Sequence, residues 1–409
     1  MSRRSIRDRL GSRRAPGEHD AGERSWEVVR KAHAELSPAR RRHGRRGFAG
    51  GLLAGVAAVA LVLTPAGAQV RQWVGDAVDP PGVDDAEPSL DRLPGGGRLL
   101  VDASTGAWLI DPDGTKRRLG DYEQSAWSPR GLYAAMVSGN SLAAVDVHDE
   151  IGEVRWSLTA DAPIDDPVWA PSGQRIAYLT RADRIESEIR VVAGDGTDDR
   201  QVARRVAPVA PAWRPEREYT GAPGEPYPRH ELAYVGRDRR TVHIDEADTG
   251  LPLYSGTLEH PVGDLAWAGR HELVVAQPHG VRVISASGGK LREFALRGPG
   301  TAAVQEVAPL RDGVILATTY DPTSDRSRLL RFGERGTQTL FFGPGRFSGP
   351  LVSPDRAWAL IEWPDADQWL FVPLQGDRVR AVSKIASQFS PGNRRQARFP
   401  FLAGWCCGT

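Results

Sequence analysis

The sequence predicts an all-β fold, a seven-bladed β-propeller preceded by one transmembrane helix and a short cytoplasmic segment, with six or eight blades as the open alternatives. Three observations carry it. An uncharged apolar run fills Gly47–Val70, a turn motif recurs at intervals in the forties beyond residue 98, and charge is split along the chain. Residues 1–46 hold 14 Lys/Arg and 6 Asp/Glu, a net of +8, which leaves 39 basic and 46 acidic residues beyond them, a net of −7. Two parts so different in charge belong in different surroundings.

Taken in order, 1–46 is a basic cytoplasmic segment. Residues 1–19 are rich in Arg, Ser and Gly and carry no apolar periodicity. Asp20, with Glu23 three positions on, can cap a short amphipathic helix over 20–38; Trp26, Val29, Ala32 and Leu36 follow at spacings of three and four, and Pro38 ends it. An isolated helix of about 15 residues is marginal in water, so this one needs a partner protein or the inner membrane face. Trp26 and Val29 are its candidate contact residues.

The run at 47–70 is the predicted transmembrane helix. Eighteen helical residues reach about 27 Å, close to the thickness of a hydrocarbon core. Arg40-Arg-Arg-His-Gly-Arg-Arg46 stands immediately before it. Positive clusters stay in the cytoplasm, which puts everything C-terminal of the helix outside. Ala66-Gly-Ala68 has the small-x-small form of a processing site, but cleavage after Ala68 would remove far more than the ~15–30 residues of a secretory signal. The single-pass anchor is therefore expected. Residues 71–97, with Pro80, Pro81, Pro88 and Gly95-Gly-Gly97, read as a linker.

Residues 98–409 read as the propeller. Trp127-Ser-Pro-Arg-Gly131, Trp169-Ala-Pro-Ser-Gly173 and Trp213-Arg-Pro-Glu-Arg217 are the plainest copies of its turn. Weaker copies sit at Trp267, Val307, Val352 and Phe389, so consecutive anchors are 42, 44, 54, 40, 45 and 37 residues apart. Such a period filled only by short strands signals a propeller. After each turn comes an apolar run, seven in all, beginning at 99, 132, 176, 232, 273, 314 and 358. Runs of this kind suit strands buried on both faces. A second run ends in an Asp-Gly or Gly-Gly hairpin, as at Asp113-Gly114 and Gly288-Gly289, and a third is more polar, as in Val154-Arg-Trp-Ser-Leu158. The turn region itself is expected to hold the fourth, outer strand, and the tail Phe399–Leu402 to complete the last blade.

Trp-Ser-Pro-Arg-Gly, Trp-Ala-Pro-Ser-Gly and Val352-Ser-Pro-Asp355 look like TolB-type, WD-like propeller repeats, over about 310 residues. That resemblance implies a noncatalytic platform for proteins or ligands and leaves the partner unnamed. The excess of arginine over lysine suggests a GC-rich, actinobacterial-like genome.

Enzyme chemistry is not expected, because no constellation for it is present. The chain lacks a Gly-x-Ser-x-Gly elbow, a His-Glu-x-x-His helix, a P-loop and a dinucleotide Gly-x-Gly-x-x-Gly. Asp195-Gly-Thr-Asp-Asp199 reads as a solvated hairpin tip rather than a Ca²⁺ loop, and the histidines show no ligand-like spacing. Cys406 and Cys407, the only cysteines, are a tail pair, free or bonded between chains. No cofactor, metal or nucleic-acid partner is expected.

The insertion Glu216–Arg229 explains the 54-residue interval and places Tyr219 and Tyr227 on a proline-rich loop, the best candidate contact surface. The sequence thus points to a membrane-anchored extracytoplasmic propeller that binds an envelope protein or ligand. One alternative is a transmembrane regulator resembling anti-sigma factors, its helix at 20–38 holding a cytoplasmic partner, although their His-x-x-x-Cys-x-x-Cys element is absent. Another is an envelope hydrolase or lyase, which would need polar residues converging at the propeller mouth.

Overall fold

The computed structural model describes residues 83, 85–148, 152–181, 187–215, 229–296, 301–390 and 398–407. The readings placed at Trp26, Val29, Tyr219 and Tyr227, and the predicted span at 47–70, lie outside them. Among the described residues no helix is long and apolar enough to cross a membrane.

Seven four-stranded antiparallel sheets make up the structure. The seven apolar runs of the sequence form the second strand of each, from Arg98–Ala103 in blade 1 and Tyr133–Ser138 in blade 2 round to Trp358–Trp363 in blade 7. Leu99, Leu100 and Val101 are fully buried, and so are Leu273, Val274 and Val275. Both faces of these strands are dry because each blade packs its sheet against its neighbours. Ala135, Val137 and Leu142 of blade 2, for example, share one apolar cluster with Ile176 and Tyr178 of blade 3. The core therefore lies between blades, and no blade can bury its surface alone.

The strand that ends at each Trp-containing turn is not the outer one. It pairs with the apolar run on the side away from the polar third run, as Gln124–Trp127 pairs with Tyr133–Ser138 while Val154–Thr159 closes the other edge. These turn-side strands touch one another in sequence, Phe401–Cys406, Gln124–Trp127, Ile164–Trp169, Ala212–Trp213, Asp264–Ala268, Ala303–Pro309 and Ser348–Val352, the last meeting the first again. Seven strands that meet in a closed ring must be the innermost, lining the axis. The exposed strands such as Val154–Thr159 are the outer rim.

Ring closure corrects a second expectation. The tail does not complete the last blade; Phe401–Cys406 is the inner strand of blade 1, paired with Arg98–Ala103. The two ends of the domain thus share one sheet, so the ring opens only if that pairing breaks. A seat for the preceding chain reinforces it. The second half of the segment expected as a linker is docked: Leu90 and Leu93 are buried with Val382, Ile385, Phe389 and Trp405, Glu87 takes both Nε and Nη2 of Arg380 at 2.8 and 2.7 Å, and the Trp405 indole donates to Gly96 O at 2.8 Å. Two leucines three residues apart suffice to seat a short stretch on an apolar surface. Cys406 and Cys407 are bonded to each other.

Candidate functional site at the mouth of the ring

The inner strands all run the same way along the axis, so the ring has two distinct ends. At the end where these strands finish, the anchor tryptophans tie neighbouring blades. Trp127 Nε1 donates to Gly404 O at 3.2 Å, Trp213 Nε1 to Val168 O at 2.9 Å and Trp267 Nε1 to Ala212 O at 3.0 Å, in each case the carbonyl of the preceding blade's inner strand. Three of the four anchor tryptophans are therefore blade-to-blade donors as well as core, whereas Trp169 serves as core alone, its buried Nε1 without a hydrogen-bond partner among the described residues. The close seat of Trp127 also requires Gly404, where a Cβ would come within 2.8 Å of the Trp127 ring.

The end where the inner strands begin, called the mouth here, uses the opposite polarity. Here side-chain acceptors take backbone N–H groups of the next blade. Asp102 accepts from Ser125 N at 3.0 Å and Ser125 Oγ, Gln124 from Asp166 N at 2.7 Å, Asp264 from Val307 N at 2.9 Å, and Glu306 from Gly349 N at 3.1 Å. Glu362 accepts from Leu402 N across the ring closure. The inner strands of blades 1, 3, 6 and 7 are bulged near these points, which takes N–H groups out of the ladder. A buried N–H needs an acceptor, and the preceding blade supplies it.

Four of these acceptors are carboxyls, and the mouth is acidic as a result. Burial pushes Asp102 and Glu306 up to about 7, Asp264 to about 6 and Glu362 to about 8. Repulsion adds to it, Asp166 acting on Asp264, Asp264 on Glu306, and both Glu306 and Asp102 on Glu362, while the backbone donors pull the other way. Glu362 is 3% exposed. Glu306 is exposed to solvent, and the protein packed around it raises its carboxyl. Counter-charge is sparse: Arg181 pairs with Asp165 at 2.7 Å, and Arg346 lies near Glu306.

A cleft of about 790 Å³ opens outward from Asp102 over blades 1 and 2. Its walls carry Trp108, Tyr122, Phe399 and Phe401 together with Glu123, Asp121, Arg118 and Arg398. Phe401 is the cross-strand neighbour of Asp102 and is 61% exposed, the only aromatic among the large apolar side chains that stand exposed in the described residues. Arg118 is already committed, its Nε donating to Thr105 O at 2.6 Å and its Nη2 bonding Asp121.

A second polar constellation lies at the opposite end. Ser172 Oγ is 3.1 Å from His230 Nε2, and His230 Nδ1 is 2.5 Å from Asp248 Oδ2. The order of groups is that of an acid–base relay. Its surroundings favour a clamp instead: Arg175 and Arg200 both bind the other oxygen of Asp248, Ser172 Oγ also takes the Gln174 N–H, and His230 is buried. What the arrangement does is tie the turn of blade 3 to the hairpin of blade 4. Among the described residues, the junctions on either side of blade 4 show no carboxyl or amide staple at the mouth. That blade's inner strand is only Ala212–Trp213, and the clamp, with Arg214 Nε donating to Arg270 O, holds it from the other side.

None of the mouth acids stood out in the sequence, although Asp102 and Glu362 follow their apolar runs directly, as Leu-Leu-Val-Asp and Ala-Leu-Ile-Glu. An acid at that point in two copies was the available signal. Asp195 folds into its own turn, accepting Thr197 N at 3.0 Å, and among the described residues no cluster could hold a metal ion.

No family model and no curated protein matches the chain. Solved structures match the fold. A functionally unknown protein from Desulfotomaculum acetoxidans DSM 771 superposes with a TM-score of 0.53 at 12% identity, over 76% of this chain and 100% of that one. BamB from Moraxella catarrhalis gives 0.46 at 14%, over 74% and 86%, and a putative TolB from Agrobacterium tumefaciens 0.41 at 16%, over 64% and 95%. At such identities the likeness is one of fold alone.

Proposed function

We propose that this chain is a single-pass membrane protein whose propeller stands outside the cytoplasm and serves, without catalysis, as a binding platform for a protein or ligand of the cell envelope. The observation that carries the binding reading is the continuity of the acidic mouth with the aromatic cleft at Asp102, which presents an exposed Phe401 beside carboxyls on a rigid ring. Concave sites with a few convergent polar groups are where ligands dock. The anchor and its orientation are supported by the uncharged run at 47–70 and the arginine cluster before it. Alkaline phosphatase and green fluorescent reporters fused after residue 97 test the orientation. Phosphatase activity without fluorescence is expected; fluorescence without phosphatase activity overturns it.

A further inference from the structure

We infer that the cleft between blades 1 and 2 takes a positively charged side chain, a lysine or arginine, carried beside an apolar residue on a segment of a partner protein. This rests on the platform reading and names the chemistry of its site. Two kinds of wall meet here. Tyr122, Phe399 and Phe401 offer aromatic surface, of which Phe401 stands 61% exposed. Glu123 offers an exposed carboxyl, and Asp102, held by Ser125, stands behind it in line with Glu362, Glu306 and Asp264, whose negative charge grows as pH rises through 6 to 8.

Aromatic faces and carboxylates both attract a cation, whereas an anion would meet repulsion from each. The apolar neighbour follows from Phe401, whose face no other side chain covers fully. The charged groups of the cleft are Asp102, Asp121, Glu123, Arg118 and Arg398, with Tyr122 as the titratable phenol. Arg118 is paired with Asp121 and bound to Thr105 O, and Asp102 is held by Ser125, so the exposed Glu123 is the carboxyl a ligand meets, with the exposed Arg398 as the opposing cation. Asp102 is the one carboxyl here that burial raises to about 7, so its charge, and with it the attraction, grows as pH rises from 6 to 8.

The test uses the full chain purified in detergent and a fluorescein-labelled Arg-Leu-Arg-Leu-Arg peptide, with Glu-Leu-Glu-Leu-Glu as its charge-reversed twin, read by fluorescence anisotropy. The basic peptide should bind about tenfold or more tightly than the acidic one, and more tightly at pH 8 than at pH 6. Phe401→Ser and Glu123→Gln, both at exposed positions and expected to leave the melting temperature unchanged, should together weaken it about tenfold. Equal binding of the two peptides, or binding indifferent to both substitutions, overturns the inference. If the basic peptide does not bind but a photo-crosslinker at position 401 captures a partner in cells, the cationic class is wrong and the platform stands. If neither occurs, the platform reading fails at this site as well.

Discussion

The two ends of the ring solve one problem in opposite ways. At the end where the inner strands finish, tryptophan indoles donate to the preceding blade's carbonyls, a bond that carries no charge and fills volume at the same time. At the mouth, carboxyls accept N–H groups from the following blade, and the cost is poorly solvated charge that protonation removes. The difference teaches that the repeat supplies a permanent seam at one end, while at the other the same stapling duty leaves a titratable, acidic rim available to a ligand.

The seam should break hardest. Trp213→Ala removes a buried indole, its bond to Val168 O and its edge contact with His230, and should cost about 3–5 kcal/mol in chemical denaturation, to the same extent at pH 5.5 and pH 8. A pH-dependent loss would erase the contrast between the ends.

The mouth is sharpened by a pair of substitutions. Glu362→Ala leaves the Leu402 N–H without its acceptor at the ring closure and should cost about 1–3 kcal/mol. Glu362→Gln keeps an acceptor and discards the charge, so it should match or exceed the native chain at pH 8. The sign follows from linkage. These carboxyls titrate higher in the folded than in the unfolded chain, so their contribution is full below about pH 4 and is lost as pH rises through the folded values near 6 to 8. The melting temperature should accordingly fall between pH 5 and pH 8.5, and Glu362→Gln should flatten that fall. A melting temperature that rises over this interval would show that the mouth acids do not behave as described.

The smallest effect belongs to the clamp. Ser172→Ala takes away one partner of His230 and should cost about 0.5–1.5 kcal/mol by the same denaturation assay, with amide exchange rising only in blades 3 and 4. Exchange spread evenly around the ring would mean that the clamp is not local.

The seam was legible in the sequence because it repeats. Trp127, Trp169 and Trp213 recur at 42 and 44 residues, and a double-sided apolar strand follows each, which is enough to read blade number and fold. The mouth was not legible for a physical reason. Its acceptors occupy different places in different blades, Asp102 and Glu362 on second strands but Asp264 and Glu306 on inner ones, because what they share is a position in space beside a bulge rather than a position in the repeat. The clamp was hidden similarly: Ser172, His230 and Asp248 lie 58 and 18 residues apart and meet only when blade 4 packs on blade 3. The seat of residues 87–97 was masked by its Pro and Gly content, which reads as linker although Leu90 and Leu93 bury fully. The inner rather than outer place of the turn-side strand depends on ring closure, which no single repeat encodes.

The central claim is that partners are engaged at the mouth and cleft on the outer side. The most direct measurement places p-benzoylphenylalanine at position 401 and, as a control, at the exposed outer-rim residue Leu251, in the full-length chain and in one lacking residues 1–38, followed by in-cell photo-crosslinking and mass spectrometry. The account predicts an envelope protein captured from position 401 and not from 251, unchanged by the deletion. Capture of a cytoplasmic protein such as a sigma factor that disappears with residues 1–38, with nothing taken from position 401, would contradict it and favour a transmembrane regulator.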